Sequence, residues 1–328
     1  MSKQSQLTGI SNAIVDILAQ VDHEFLDRIG AAPGTMTLID AAQADALYAS
    51  MGPATEKSGG SVANTVAGFA NLGGSAGYIG RVRDDQFGAV FVHDMKSLGV
   101  DIRTKPASDG APTARSHVLI TPDGQRTMQT YLGACTELGV SDITPDTLGE
   151  SDIVLLEGYV WDLPEGPALT EMAIKLSKAS GAKVALSLSD SLCVDRHRAS
   201  FMDGVRDGVD IVFADEDEMM ALFEVDSFEA VLPAIEGLDN LFVMTRSAKG
   251  SVIVHGDQQV QQDAIAVESV VDTTGAGDAY TAAFLYGLSR QESLAECARL
   301  GTWCATRVIQ QLGARLESNV LEGYGDAF

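Results

Sequence analysis

Val270-Val271-Asp272-Thr273-Thr274-Gly275-Ala276-Gly277-Asp278-Ala279-Tyr280 is the stretch from which the rest of the chain is read. Two β-branched residues lead into a glycine-rich turn. A helix follows, with Ala279, Ala282, Ala283, Leu285 and Tyr286 available for packing. The Gly275-Ala276-Gly277 turn leaves backbone N–H groups free at the helix N-terminus, and with the positive end of the helix dipole they form an anion site. Small residues belong there because a phosphate must approach the backbone closely. Asp278 falls in the first turn of the helix. Two readings are open for it: a carboxylate that merely favours a helix start, or a base that takes the proton of an attacking hydroxyl while the amides hold the transferring phosphoryl.

Other phosphate-binding patterns fail. There is no GxxxxGK[ST]. Gly275-Ala276-Gly277 is not completed as GxGxxG, because Tyr280 stands where the third glycine belongs, and it lies late in the chain, whereas a dinucleotide fingerprint opens the first βαβ unit. Neither HRD nor DFG occurs, which excludes a protein kinase.

Outward from this stretch, strands and helices alternate. Short apolar runs at Ile153–Glu157, Val184–Leu188, Ile211–Ala214 and Leu241–Thr245 predict buried parallel strands. Helices are predicted between them, as at Ala168–Lys178 and Glu216–Phe223. Gly250–Gly256 and Gln259–Val267 predict an antiparallel portion, and Ala276–Leu288 and Ser293–Gln311 two closing helices. Upstream, Gly9–Val21 reads as one strand interrupted by Asp16, and Thr35–Asp40 as another. Val62, Val66, Phe69 and Ala70 mark a helix with Ser61 as N-cap and Gly73-Gly74 as its stop. Ser75–Val82 reads as a strand, and Phe87, Val90, Phe91, Met95 and Leu98 as a helical stripe. Pro122-Asp123-Gly124 turns a hairpin between Ser116–Thr121 and Gln125–Tyr131. The pattern predicts a doubly wound α/β fold with a mainly parallel sheet, as one domain over 1–328.

Composition narrows the function. The 46 acidic residues against 22 Lys plus Arg give a net charge of −24, which repels nucleic acid. No uninterrupted apolar run of about 18 residues suggests a membrane span. Met1–Thr8 is polar, so no secretory leader is expected and a cytoplasmic location is. Cys135, Cys193, Cys297 and Cys304 lack metal-ligand spacing and read as buried free thiols.

Asp272-Thr273-Thr274-Gly275-Ala276-Gly277-Asp278 resembles the C-terminal signature of the ribokinase-type (PfkB) carbohydrate kinase family. Gly59-Gly60-Ser61-Val62-Ala63-Asn64-Thr65 with Leu72-Gly73 resembles its N-terminal signature, about 200 residues upstream. The resemblance implies a ribokinase-like α/β domain with a small β-sheet lid from about 15–40 and 112–132. It implies a phosphotransferase that moves the γ-phosphoryl of ATP to a primary hydroxyl. Asp278 would be the base, with the amides of Gly275, Ala276, Gly277 and Asp278 as the anion hole. Asp16, Gly59, Gly60 and Asn64 would hold acceptor hydroxyls. Thr245 and Gly250 would line the nucleotide site, with Arg246 and Lys249 near phosphates or in solvent.

The family's N-x-x-E, which organises Mg²⁺ through water, appears here as Asp215-Glu216-Asp217-Glu218, with Asp215 in place of Asn beside Glu218. An aspartate offers oxygen to a hydrated Mg²⁺ as well. Asp272 and Thr274 stand where relatives bind a monovalent cation, often K⁺. Gly34–Asp40 and Ser58–Thr65 resemble the adenosine-kinase branch, in which lid residues sandwich a purine; Tyr131, Met36 and Leu38 are candidates here. Arg126 suits a phosphorylated sugar or solvent. The expected acceptor is an adenosine-like nucleoside, with a sugar or sugar phosphate as the alternative. A catalytically silent sugar- or nucleotide-binding relative is the reading from another class. Pairing of two copies through the lid is a further expectation.

Overall fold

The computed structural model describes residues 4–316 and 319–327. The first half runs β1 (Gln4–Ile10), β2 (Ile14–Gln20), α1 (His23–Ile29), β3 (Met36–Leu38), α2 (Ala41–Ser50), β4 (Thr55–Gly59), α3 (Ser61–Asn71), β5 (Ala76–Ile79), α4 (Gln86–Ser97), β6 (Val100–Ile102), β7 (Ala114–Ile120) and β8 (Arg126–Tyr131). The second runs α5 (Pro145–Leu148), β9 (Glu150–Glu157), α6 (Gly166–Ser180), β10 (Lys183–Ser187), α7 (Ser191–Asp207), β11 (Ile211–Asp215), α8 (Glu216–Phe223), α9 (Phe228–Ala234), β12 (Leu241–Thr245), β13 (Ser251–His255), β14 (Gln258–Gln262), α10 (Ala276–Ser289) and α11 (Leu294–Val308).

The large sheet has the order β14-β13-β12-β11-β10-β9-β1-β5-β6. It is parallel from β6 to β12, and β13 and β14 add antiparallel. Successive residues of its strands go to opposite faces, and both faces are covered. Val154, Leu156, Leu186 and Val212 pack with Leu169, Phe201 and Leu222 of α6, α7 and α8. Ile153, Leu155, Ala185 and Phe213 pack with Val66, Phe91 and Phe284 of α3, α4 and α10. This is why the strands read as near-continuous apolar runs, and the doubly wound expectation holds.

A second sheet, β3-β8-β7-β2-β4, stands apart from the first. One face is covered around Phe25, Leu26, Leu47 and Leu119. The strand expected over Gly9–Val21 is two strands, one in each sheet: Ser11, Asn12 and Ala13 are buried where the chain crosses over. β4 also belongs to the small sheet, although Thr55-Glu56-Lys57-Ser58 is too polar to announce a strand. Helix α7 was likewise silent in the sequence: only Cys193, Val194, Phe201 and Val205 of its residues are buried. All four cysteines are buried and unpaired. Among the described residues no helix is long and apolar enough to cross a membrane.

Candidate active site

The N-termini of α3 and α10 converge. Each follows a glycine with positive φ, Gly60 at +97° and Gly275 at +77°, a conformation that disfavours any side chain. Close approach adds to this. A Cβ on Gly60 would lie 2.5 Å from the Asn12 carbonyl oxygen, and one on Gly275 would lie 2.4 Å from Ala314 Cβ. Ser61 Oγ donates to Asp278 Oδ1 at 2.6 Å, and Asn64 Nδ2 donates to Oδ2 at 2.9 Å. Ser61 is therefore not the cap expected from sequence; Gly60 holds that position without a side-chain bond. Burial raises the proton affinity of Asp278, while the bonds from Ser61 and Asn64 and the charge of Arg315 oppose the rise.

The amides before Asp278 divide. That of Ala276 donates to the Thr273 carbonyl at 3.2 Å, so it is not a free anion-hole donor as expected. Among the described residues the amides of Gly275, Gly277 and Asp278 meet no protein acceptor. A Cβ on Gly277 would meet nothing within 4 Å, so open space lies against this turn.

Asp16, on β2, lies against β4: a Cβ on Gly59 would come within 2.2 Å of its Oδ2. Glycine at 59 is the condition for that carboxylate to sit where it does. Burial pushes the Asp16 carboxyl up to about 6, against the charges of Arg315 and Arg126 and with that of Asp278. A cavity of about 490 Å³ is lined by Asp16, Leu18, Asn64, Val118, Met128 and Arg315, among others. Cross-strand register places Leu18, Val118, Met128 and Met36 side by side, and Leu38 lies two residues from Met36 on the same face. Met36 and Leu38 are more than half exposed. Tyr131 belongs to the opposite face, where the Arg115 guanidinium lies 5.7 Å from its ring centre; it does not line the cavity.

Arg126 does not point to solvent. From β8 it reaches the α10 approach, pairing with Asp272 and donating to Thr274 Oγ1 at 3.0 Å. Asp272 also accepts from Thr274 N at 3.0 Å and Gly313 N at 2.8 Å. A K⁺ at Asp272 and Thr274 would sit against a guanidinium, so this donor set does not fit it.

Asp215 and Glu218 cap α8 reciprocally: Asp215 N donates to Glu218 Oε2 at 2.9 Å, and Glu218 N to Asp215 Oδ1 at 2.8 Å. Burial pushes Glu218 up to about 8, with the charges of Asp215, Asp190 and Asp217 adding to it. Among the described residues no three metal-ligating side chains converge. Two acids short of positive charge suit a hydrated divalent cation held through water. Arg246 and Lys249 are both engaged by Glu216, at 2.8 and 3.1 Å. Thr245 ends β12 beside them. Gly250 has φ +83°, and a Cβ there would lie 2.0 Å from the Gln262 carbonyl oxygen, so β14 alone explains the glycine.

Residues 33–320 match the family described as pfkB family carbohydrate kinase. The chain belongs to the pfkB family. This pfkB kinase superposes on an adenosine kinase from Sinorhizobium meliloti over 99% of both chains, at 45% identity and TM-score 0.89. It superposes on a probable sugar kinase protein from Rhizobium etli CFN 42 over 100% of its own length and 99% of that chain, at 42% identity and TM-score 0.89. A curated ribokinase from Arabidopsis thaliana is 26% identical over 78% of this chain and 68% of its own. The protein is thus a kinase of the sugar and nucleoside group.

Three residues of the pfkB kinase that lie around Asp278 and the start of α3 are not announced by the sequence. Ser61 reads in the sequence as a helix cap. Glu157 ends β9 and accepts from Val62 N at 3.3 Å, behind the site. Arg315 follows α11 in a segment with no periodicity. A positive charge between two glycine-containing turns was the only signal, and it does not say which carboxylates it will meet.

Proposed function

We propose that the chain transfers the γ-phosphoryl of ATP to a primary hydroxyl of an adenosine-like nucleoside. The observation that carries this is the juxtaposition of a gripped carboxylate, Asp278, with unpaired amides of Gly275, Gly277 and Asp278 beside open space. Asp278 takes the proton of the acceptor hydroxyl as its oxygen attacks the γ-phosphorus, and ADP leaves. The amides stabilise the charge on the transferring group without reorganising. Asp16 accepts from acceptor hydroxyls, which Gly59 and Gly60 allow to approach, and Asn64 orients the base. Thr245 and Gly250 border the nucleotide. Glu218 and Asp215 would hold Mg²⁺ through water, which neutralises phosphate charge when bound. The small sheet acts as a lid that excludes water.

The nucleoside is favoured by the 45%-identical adenosine kinase and by the aliphatic wall of Leu18, Val118 and Met128, which suits the flat apolar face of a base. The curated relatives named ribokinase and fructokinase support a sugar acceptor as the second reading. ADP release is measured with ATP and Mg²⁺ across nucleosides, pentoses, hexoses and phosphosugars. Highest kcat/KM with adenosine is expected. A preference for a pentose or hexose replaces the nucleoside reading, and silence with retained binding replaces the kinase mechanism by a binding role.

A further inference from the structure

Residues 311–316 touch both halves of the site. Ala314 packs against Gly275, and Gly313 N holds Asp272. The next residue, Arg315, reaches the other side. Its Nη1 donates to the Ala63 carbonyl at 2.9 Å, and its Nη2 donates to the Ser58 carbonyl at 2.6 Å and Ser58 Oγ at 2.7 Å. Ser58 is held in turn by Asp94, which accepts from its amide at 2.8 Å. Ser58 and Ala63 bracket the Gly59-Gly60 turn and Ser61. The Arg315 Nε is buried with no protein partner, and Arg315 lines the cavity with Asp16 and Asn64.

The charge of Arg315 is not needed for bonds to carbonyls. Among the described residues no carboxylate is in ion-pair contact with it, and a buried charge without a partner is costly. Burial opposes its charge, which is felt through space by Asp94 first, then by Asp16 and Asp278. Around Asp278 the groups on α3 are neutral, Ser61 and Asn64. The charge of Asp278 in turn raises the proton affinity of Asp16 on β2 and Glu157 on β9, and Arg126 on β8 acts on Asp16 and is paired with Asp272. Arg315 is the cation that favours the ionised base.

We propose that Arg315 is a positioning residue of the transfer: it fixes the Ser58–Ala63 corner that presents Ser61 and Asn64 to Asp278, and its charge keeps that carboxylate ready to accept a proton. The proposal rests on the kinase reading. Full-length wild type, Arg315→Met and Arg315→Lys are compared in kcat/KM against pH with ATP, Mg²⁺ and adenosine (ribose if adenosine is silent), with thermal melts alongside.

For Arg315→Met the acid limb moves up in pH, so its deficit shrinks as pH rises. Arg315→Lys returns the limb towards wild type, but kcat stays about tenfold down because an ammonium lacks the planar fork. A methionine deficit that is constant across pH overturns the proposal. If that variant does not fold, the lysine variant decides: a wild-type limb with lowered kcat supports the role, and wild-type kcat overturns it. Absence of ADP from the wild type with every acceptor sinks the kinase reading and this proposal with it, a result distinct from any difference between variants.

Discussion

Asn64 Nδ2 donates to Asp278 Oδ2 at 2.9 Å, joining residues 214 apart in sequence. With the bond from Ser61 it fixes both carboxylate oxygens from one helix start. Asp278→Asn keeps the shape and loses the base, so kcat falls by at least about 10²-fold, the scale of a general base. Steady-state kinetics beside a melting curve check this; near-wild-type turnover removes Asp278 from the mechanism.

The open space at Gly277 separates folding from function. Gly277→Val meets no protein atom at its Cβ, so the variant melts near wild type yet blocks phosphate approach and abolishes transfer. Gly59→Ala instead forces its Cβ onto the Asp16 carboxylate, and the expected result is a raised acceptor KM. Normal kinetics in the valine variant would argue against an anion hole at this turn.

Asp16, Glu157 and Glu218 are pushed up by burial to about 6, about 7 and about 8. The folded chain therefore keeps protons that the unfolded chain, with ordinary carboxylates, releases near pH 4. Since the native state binds more protons across this window, stability falls as pH rises from about 5 to about 8.5. The Tm of the ligand-free protein drops by about 5 °C or more over that range; a flat or rising Tm contradicts the burial of these acids.

If Glu218 holds hydrated Mg²⁺ as proposed, Mg²⁺ and a proton compete for it. The Mg²⁺ concentration that half-saturates the rate should fall as pH rises through about 8, where Glu218 ionises. Glu218→Gln should raise that concentration at every pH and flatten its pH dependence. An unchanged Mg²⁺ requirement in the glutamine variant would place the metal elsewhere.

Arg126 already neutralises Asp272. Exchange of KCl for tetramethylammonium chloride at constant ionic strength should leave the wild-type rate unchanged, while Arg126→Ala should become K⁺-sensitive. K⁺ activation of the wild type would show that a cation displaces the guanidinium.

The sequence by itself determined the layered fold and the start of α10. Ile153–Glu157, Val184–Leu188 and Leu241–Thr245 are apolar because parallel strands are buried on both faces, and the glycine at 275 is a local requirement of a turn with φ +77°. It also determined the hairpin at Pro122-Asp123-Gly124, since turn chemistry acts between neighbours. Only the tertiary structure decided that Ile10 and Ile14 enter different sheets, that Ser61 serves Asp278 rather than its own helix, and that Arg126 and Arg315 reach Asp272 and the Ser58–Ala63 corner. Those outcomes depend on groups brought together from distant segments. A polar side chain's partner is set by which surfaces the packed helices and sheets bring within about 3 Å, and local periodicity carries no record of that.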